Sequence, residues 1–149
     1  MATQPEAVLE DKFIKQLVSL EYERVAVISE DELLANLKRQ LEKHNKASFS
    51  DSEFKRITNH LSKGTVFEKA KILRDKYALP LDDGNTKWIE FLDVENWCQN
   101  LFQVTSQVTI EGSYKNRYDV TLLINGFPLV QIELKRRGVE LKQAFNQIN

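Results

Sequence analysis

Near residue 84 the spacing of apolar residues changes from about 3.6 to about 2, which divides the chain into a helix-rich part and a sheet-rich part. Before the change, Ala7, Leu9, Phe13, Ile14, Leu17, Val18 and Leu20 recur mostly at three- and four-residue steps. That spacing predicts an amphipathic helix over 5–21, with Glu10 and Asp11 in its early turns. Residues 24–28 read as a short strand. Three capping boxes follow, Ser29 with Glu32, Ser50 with Glu53 and Thr65 with Glu68, each a hydroxyl residue followed three positions later by a Glu. They predict helices near 30–45, 51–62 and 66–78, with apolar stripes turned to the core: Leu33, Leu34, Leu37 and Leu41; Phe54, Ile57 and Leu61; Phe67, Ala70, Leu73 and Tyr77. Gly64 and Pro80 stand where these helices stop. Together they form a helical insert over about 29–78. After the change, strands are expected at 86–92, 101–110, 117–124 and 128–135. The last segment, 139–149, returns to helical spacing through Leu141, Ala144, Phe145 and Ile148 and carries no closing cap. The chain is therefore expected to be a fragment of something longer.

Composition narrows the function classes. With 42% hydrophobic residues, five Gly and three Pro in 149 residues, one ordered domain is expected rather than a disordered or collagen-like chain. Lys and Arg number 21 against 22 Asp and Glu, so any contact with nucleic acid has to come from a local patch. Cys98 is the single cysteine, and with only His44 and His60 beside it there is no disulfide and no Cys/His metal set. A cytoplasmic protein is expected. No apolar run approaches the roughly 20 residues that span a bilayer, so no membrane partner is expected.

The chemistry concentrates in residues 116–135. Asn125-Gly126 between two β-rich runs signals a hairpin. Alternation puts Val120, Leu122 and Ile124 of one strand, and Val130, Ile132 and Leu134 of the other, on the core face. A two-residue loop sets Asp119 opposite Ile132 and mixes the faces. A three-residue loop, Asn125 to Phe127 with Gly126 at positive φ, sets Asp119 opposite Glu133 and keeps the core dry, so the three-residue loop is expected.

Asp119, Glu133 and Lys135 then share one face. Two carboxylates about 5 Å apart repel by about 3 kcal/mol at an effective dielectric of about 20, so the pair needs a cation, a proton or abundant water. Mg²⁺ suits such hard oxygens and binds through one or two carboxylates plus substrate phosphate. Lys135 on the same face is placed to orient or deprotonate a water, or to neutralise charge on a scissile phosphate. The plainer alternative is a solvated strand face with a Glu-Lys pair of little energetic consequence.

Over nearly its whole length the sequence resembles the N-terminal nuclease domain of the R subunit (HsdR) of type I restriction enzymes, a RecB-like branch of the PD-(D/E)xK nucleases. The resemblance is carried by Leu9-Glu10 through Glu21-Tyr22, by Leu41, His44 and Asn45, and above all by Arg117-Tyr118-Asp119, Asn125-Gly126-Phe127-Pro128-Leu129-Val130, Ile132-Glu133-Leu134-Lys135 and Ala144-Phe145-Asn146-Gln147-Ile148. It implies a mixed α/β restriction-endonuclease-like core, an antiparallel-containing sheet flanked by helices, with the catalytic hairpin within about 86–137. It also implies that Asp119 and Glu133 hold Mg²⁺, that Lys135 assists the water, and that Glu10 approaches the same site. Gln147 would open a Gln-x-x-x-Tyr element. The activity implied is that of a type I site-specific deoxyribonuclease acting on double-stranded DNA alongside modification (HsdM) and specificity (HsdS) subunits. Tyr118 stands where the family usually has Pro, a position that supplies no ligand. The chain stops two residues after Gln147 and has no Gly-rich phosphate loop, so ATP use falls to motor domains outside it and this fragment alone is expected to be inactive. The competing class is a non-catalytic docking or DNA-binding module.

Outside that constellation, Arg136 and Arg137, and less directly Lys142, Lys12 and Lys15, are candidates for DNA phosphates. Trp88 and Trp97 are expected to be buried, Cys98 to be a small packing residue, and His44 and His60 to lie at the surface or at helix ends.

Overall fold

In the computed structural model, residues 6–27, 29–110 and 116–134 are described. The chain folds as mixed α/β with a mostly antiparallel sheet. It divides into two compact units, one of residues 1–30, 103–123 and 128–149, the other of residues 31–102 and 124–127.

In the first unit, α1 (Glu6–Ser19) buries Ile14 and Leu17 against Val104 and Val120, with Phe13, Tyr22, Leu122, Ile132 and Leu134 around them. The helix stops two residues before its expected end at 21. Glu21 takes φ 73°, its N–H bonds to Val18 O, and Tyr22 N–H reaches back to Leu17 O at 3.1 Å, closing the last turn as a Schellman motif with Glu where Gly is usual. The sheet has the order β1 (Glu23–Arg24), β4 (Phe102–Ile110), β5 (Asn116–Ile124), β6 (Phe127–Ile132), and β1 runs parallel to β4 with Glu23 opposite Gln103. The strand expected over 24–28 is regular only at its start. Beyond it Val25 N–H bonds to Val104 O, and the Thr105 hydroxyl accepts from Val27 N and donates to Val27 O, replacing ladder bonds with a side chain.

The second unit contains α2 (Glu30–Asn45), α3 (Asp51–Leu61), α4 (Val66–Arg74) and a separate antiparallel pair, β2 (Tyr77–Pro80) and β3 (Thr86–Ile89). Both capping boxes at α3 and α4 form as expected: Ser50 and Thr65 accept from the N3 backbone, and Glu53 and Glu68 return to the cap N–H. The core is Leu37, Leu41, Phe49, Ile57, Leu79, Ile89, Phe91, Leu92 and Phe127.

Several expectations are corrected here. The helix expected to reach residue 78 ends at Arg74, because Asp75 is extended and Tyr77 to Pro80 find ladder partners in Thr86 to Ile89. Tyr77 therefore belongs to a strand, and residues 86–89 pair with that strand, not with the main sheet. On α4, Ile72 and Leu73 reach the core while Phe67 is 87% exposed. Trp88 and Trp97 are exposed as well, as is Cys98. Trp88 lies opposite Ala78 on the outer face of β2–β3, since the alternate positions Leu79 and Ile89 take the core. His44 lies in the last turn of α2, at a helix end as expected, but half-buried, where it meets Glu90 at 2.9 Å, while the Asn45 side chain bonds both the N–H and the C=O of Glu90.

The turn between β5 and β6 holds two residues, not three. Asn125 and Gly126 both have positive φ (51° and 87°), the pairing of dihedral signs that a type I′ hairpin needs. Asn125 is fully buried: its Oδ1 accepts from Leu101 N (2.8 Å), and its Nδ2 donates to Phe91 O (2.8 Å) and Asn100 Oδ1 (2.9 Å). A Cβ on Gly126 would stand 2.7 Å from the Leu37 Cα. The dipeptide is thus held by packing and hydrogen bonding within the second unit as well as by turn geometry.

Candidate active site

Asp119 lies on β5, one residue before Val120, which is wholly buried against α1. Its Oδ2 accepts the backbone N–H of Leu134 at 2.9 Å. That bond carries the Asp119 carboxylate to the backbone immediately after Glu133, and both carboxylate residues are half-buried. The direct cross-strand pairing of Asp119 with Glu133 expected from a three-residue loop does not follow from the two-residue turn. The two residues are instead related past the end of the ladder, because β6 stops at Ile132 and strand alternation no longer fixes the faces of Glu133 and Leu134.

The expected division into one dry and one wet face is also revised. Thr121 and Leu123, which share Asp119's side of β5 by alternation, are fully buried, whereas Val130, expected in the core, is 42% exposed. Asp119 thus stands at the margin of a covered surface, which strengthens its electrostatic reach relative to a fully solvated carboxylate. Among the described residues, the Thr121 hydroxyl is a buried side-chain oxygen with no hydrogen-bond partner.

Glu10 falls on the stripe of α1 that also contains Ile14 and Leu17, at positions i, i+4 and i+7, and is half-buried. The helix therefore aims Glu10 along the same face that packs on Val104 and Val120. Lys15, considered for phosphate contact, pairs with Asp11 at 2.8 Å, and the Lys15 hydrogen bond holds the Asp11 carboxyl below its usual range. Lys135, Gln147, Arg136, Arg137 and Lys142 lie outside the described residues.

Asp119 and Glu133 offer only oxygen donors, the type a hard divalent cation takes, and the Leu134 N–H engages one oxygen of Asp119. Among the described residues no group of three or more His, Cys, Asp or Glu is placed to hold a metal ion, so a cation here would rest on this pair, water and substrate oxygens. Sequence reasoning named both carboxylates as candidates. It missed the Leu134 N–H, since a backbone donor leaves no residue-type signal.

A family model described as the type I restriction enzyme R protein N terminus matches residues 3–149. The chain is 46% identical over 153 aligned positions to the type I restriction enzyme SauMSSORF170P endonuclease subunit of Staphylococcus aureus strain MSSA476, covering 99% of this chain and 16% of that protein. It has the same identity and coverage to the SsaAORF53P endonuclease subunit of Staphylococcus saprophyticus. The EcoprrI endonuclease subunit of Escherichia coli is 41% identical over 152 positions, covering 98% of this chain and 49% of that protein. This chain thus spans about a sixth of the staphylococcal relatives' length and half of the Escherichia coli one. By a family match over almost all of its residues, the chain belongs to the type I restriction enzyme R protein N-terminal family.

Proposed function

We propose that this chain is the Mg²⁺-dependent endonuclease domain of a type I restriction enzyme R subunit, built on a PD-(D/E)xK core and hydrolysing phosphodiester bonds of double-stranded DNA. The observation that carries this reading is the Asp119 carboxylate fixed by the Leu134 N–H beside Glu133, within the Asn-Gly-x-Pro-Leu-Val-x-x-Glu-x-Lys run. Relatives named as endonuclease subunits support it.

Asp119 and Glu133 would hold the metal. Bound Mg²⁺ supplies Lewis acidity that lowers the pKa of a water and offsets charge on the phosphate. Asp119, with one oxygen tied to the backbone, has a fixed direction and loses little side-chain freedom on binding, which favours a preorganised site. Lys135, two residues beyond Glu133, is assigned to orient the attacking water or to take up charge at the scissile phosphate. Glu10 approaches from α1 and adds negative charge that tightens cation binding, and Gln147 belongs to the same site through the RecB-like element. Arg136 and Arg137 follow the motif and hold DNA phosphates. ATP-driven translocation belongs to motor domains elsewhere in the full subunit, which acts with modification and specificity subunits in the cytoplasm.

Lys135→Ala in the full-length subunit tests this. A nuclease loses DNA cleavage while assembly with the other subunits persists; a docking module loses assembly, or nothing.

A further inference from the structure

The corner between α3 and α4 forms a cavity of about 430 Å³ lined by His60, Lys63, Lys71, Ile72 and Lys76, with Gly64, Glu68 and Asp75 completing it. The turn depends on Gly64, which has φ +83° and where a Cβ would fall 2.5 Å from a Glu68 carboxylate oxygen. Glu68 is committed to the turn: its carboxylate accepts the Thr65 N–H, and that bond holds it below its ordinary range. The three lysines are exposed, and among the described residues none of them makes an ion pair.

The local charge contrasts with the whole chain. Residues 63–76 contain five basic side chains (Lys63, Lys69, Lys71, Arg74, Lys76) against Glu68 and Asp75, in a protein of formal charge −1. Such a concentration in one exposed corner is the electrostatic footprint expected of a contact with a polyanion. The α4 surface turned away from the core adds an apolar element, since Phe67 precedes Lys71 by one helical turn and is almost fully exposed. On the cavity wall the His60 ring stacks on Tyr77 at 3.9 Å and 11° between planes. Partial burial and the nearby Lys63 charge hold His60 below its ordinary value, which leaves the lysines as the cationic groups at neutral pH.

We infer that the α3–α4 corner is a nucleic-acid contact, in which Lys63, Lys71 and Lys76 hold backbone phosphates of DNA, on elements other than those that carry Asp119 and Glu133. The inference stands apart from the nuclease reading, because phosphate binding here requires neither carboxylate.

The test uses the 149-residue chain and a fluorescein-labelled 20-bp duplex, with binding followed by anisotropy between about 50 and 200 mM NaCl. Each phosphate contact contributes about 0.9 to the slope of log affinity against log salt. The triple variant K63Q/K71Q/K76Q is expected to lower that slope by about two to three, while K43Q, at an exposed lysine of α2, leaves it nearly unchanged. The lysines are exposed, so the triple variant keeps the wild-type far-ultraviolet circular dichroism. An unchanged slope in the triple variant overturns the inference. Calorimetric titration with inorganic phosphate separates the alternative source: phosphate heats abolished by the triple variant, with the duplex slope unaltered, assign the cavity to a free anion and also overturn it.

Discussion

The Asp119 carboxylate accepts the backbone N–H of Leu134 at 2.9 Å, so a side chain of β5 is tied to the main chain immediately after Glu133. Under the proposed function the bond serves both stability and chemistry, and substitution separates the two. An amide at this position still offers an oxygen to Leu134 but no charge to a cation. Asp119→Asn is therefore expected to unfold in urea at nearly the wild-type midpoint. Asp119→Ala leaves the N–H unpaired and is expected to cost about 1 kcal/mol, the low end for a lost hydrogen bond at a half-buried group. A larger loss in the amide variant than in Asp119→Ala would show that the bond is not what holds this segment.

The proposed cation site rests on the same pair. With two protein carboxylates and no substrate phosphate, Mg²⁺ is expected to bind weakly, and Asp119→Ala or Glu133→Ala to reduce the affinity at least several-fold in calorimetric titration. Equal Mg²⁺ affinity in wild type and Asp119→Ala would remove Asp119 from the ligand set.

Asn125 and Gly126 are expected to be intolerant of change for reasons unrelated to catalysis. Asn125→Ala leaves Leu101 N–H and Phe91 C=O without their partner inside the core and is expected to cost about 2–5 kcal/mol. Gly126→Ala adds left-handed strain of about 1–2 kcal/mol to a 2.7 Å approach to the Leu37 Cα. Denaturant midpoints check both, and a loss under 1 kcal/mol for either variant would show that the turn relaxes away from α2.

Much of this fold was legible because its signals are local. The capping boxes at Ser50 and Thr65 satisfy their own helix ends, and α2 and α3 begin and end within a residue or so of the expected bounds. The failures lie where tertiary pairing competes with local pattern. Tyr77 continues a helical stripe by spacing but pairs with Ile89 as a strand. In the hairpin, the premise that one face must be wet forced a three-residue loop. Thr121 and Leu123 are buried behind Val120, so β5 needs no wet face there and the ordinary two-residue Asn-Gly turn suffices. At the candidate site, residue identity pointed to the carboxylates, but the Leu134 N–H bonded to Asp119 is invisible to any residue-based pattern.

Acid sensitivity is expected from a carboxylate cluster in the second unit. Glu53 accepts from Ser50 N and Asp82 N, and Asp82 accepts from the Ser50 and Ser52 hydroxyls and from Arg56. These bonds hold both groups below their ordinary values of 4.5 and 3.8. A carboxylate depressed in the native state stabilises fully above its unfolded value, and the contribution is lost as pH falls from there through the native value. Thermal stability should begin to decline below about pH 6.5, where His60 takes up a proton more readily in the unfolded chain, and fall further below about pH 5 as the carboxylates protonate; Glu53→Gln and Asp82→Asn should flatten only this second stage. An identical acid limb in both variants would show that other groups control it.

The most direct measurement is cleavage of supercoiled plasmid by the full-length subunit assembled with its modification and specificity partners, comparing wild type with Asp119→Asn under ATP and Mg²⁺. Loss of double-strand cleavage by at least a hundredfold, with assembly and ATP hydrolysis retained, is the result expected if Asp119 holds the catalytic metal. Cleavage at the wild-type rate by Asp119→Asn would contradict it.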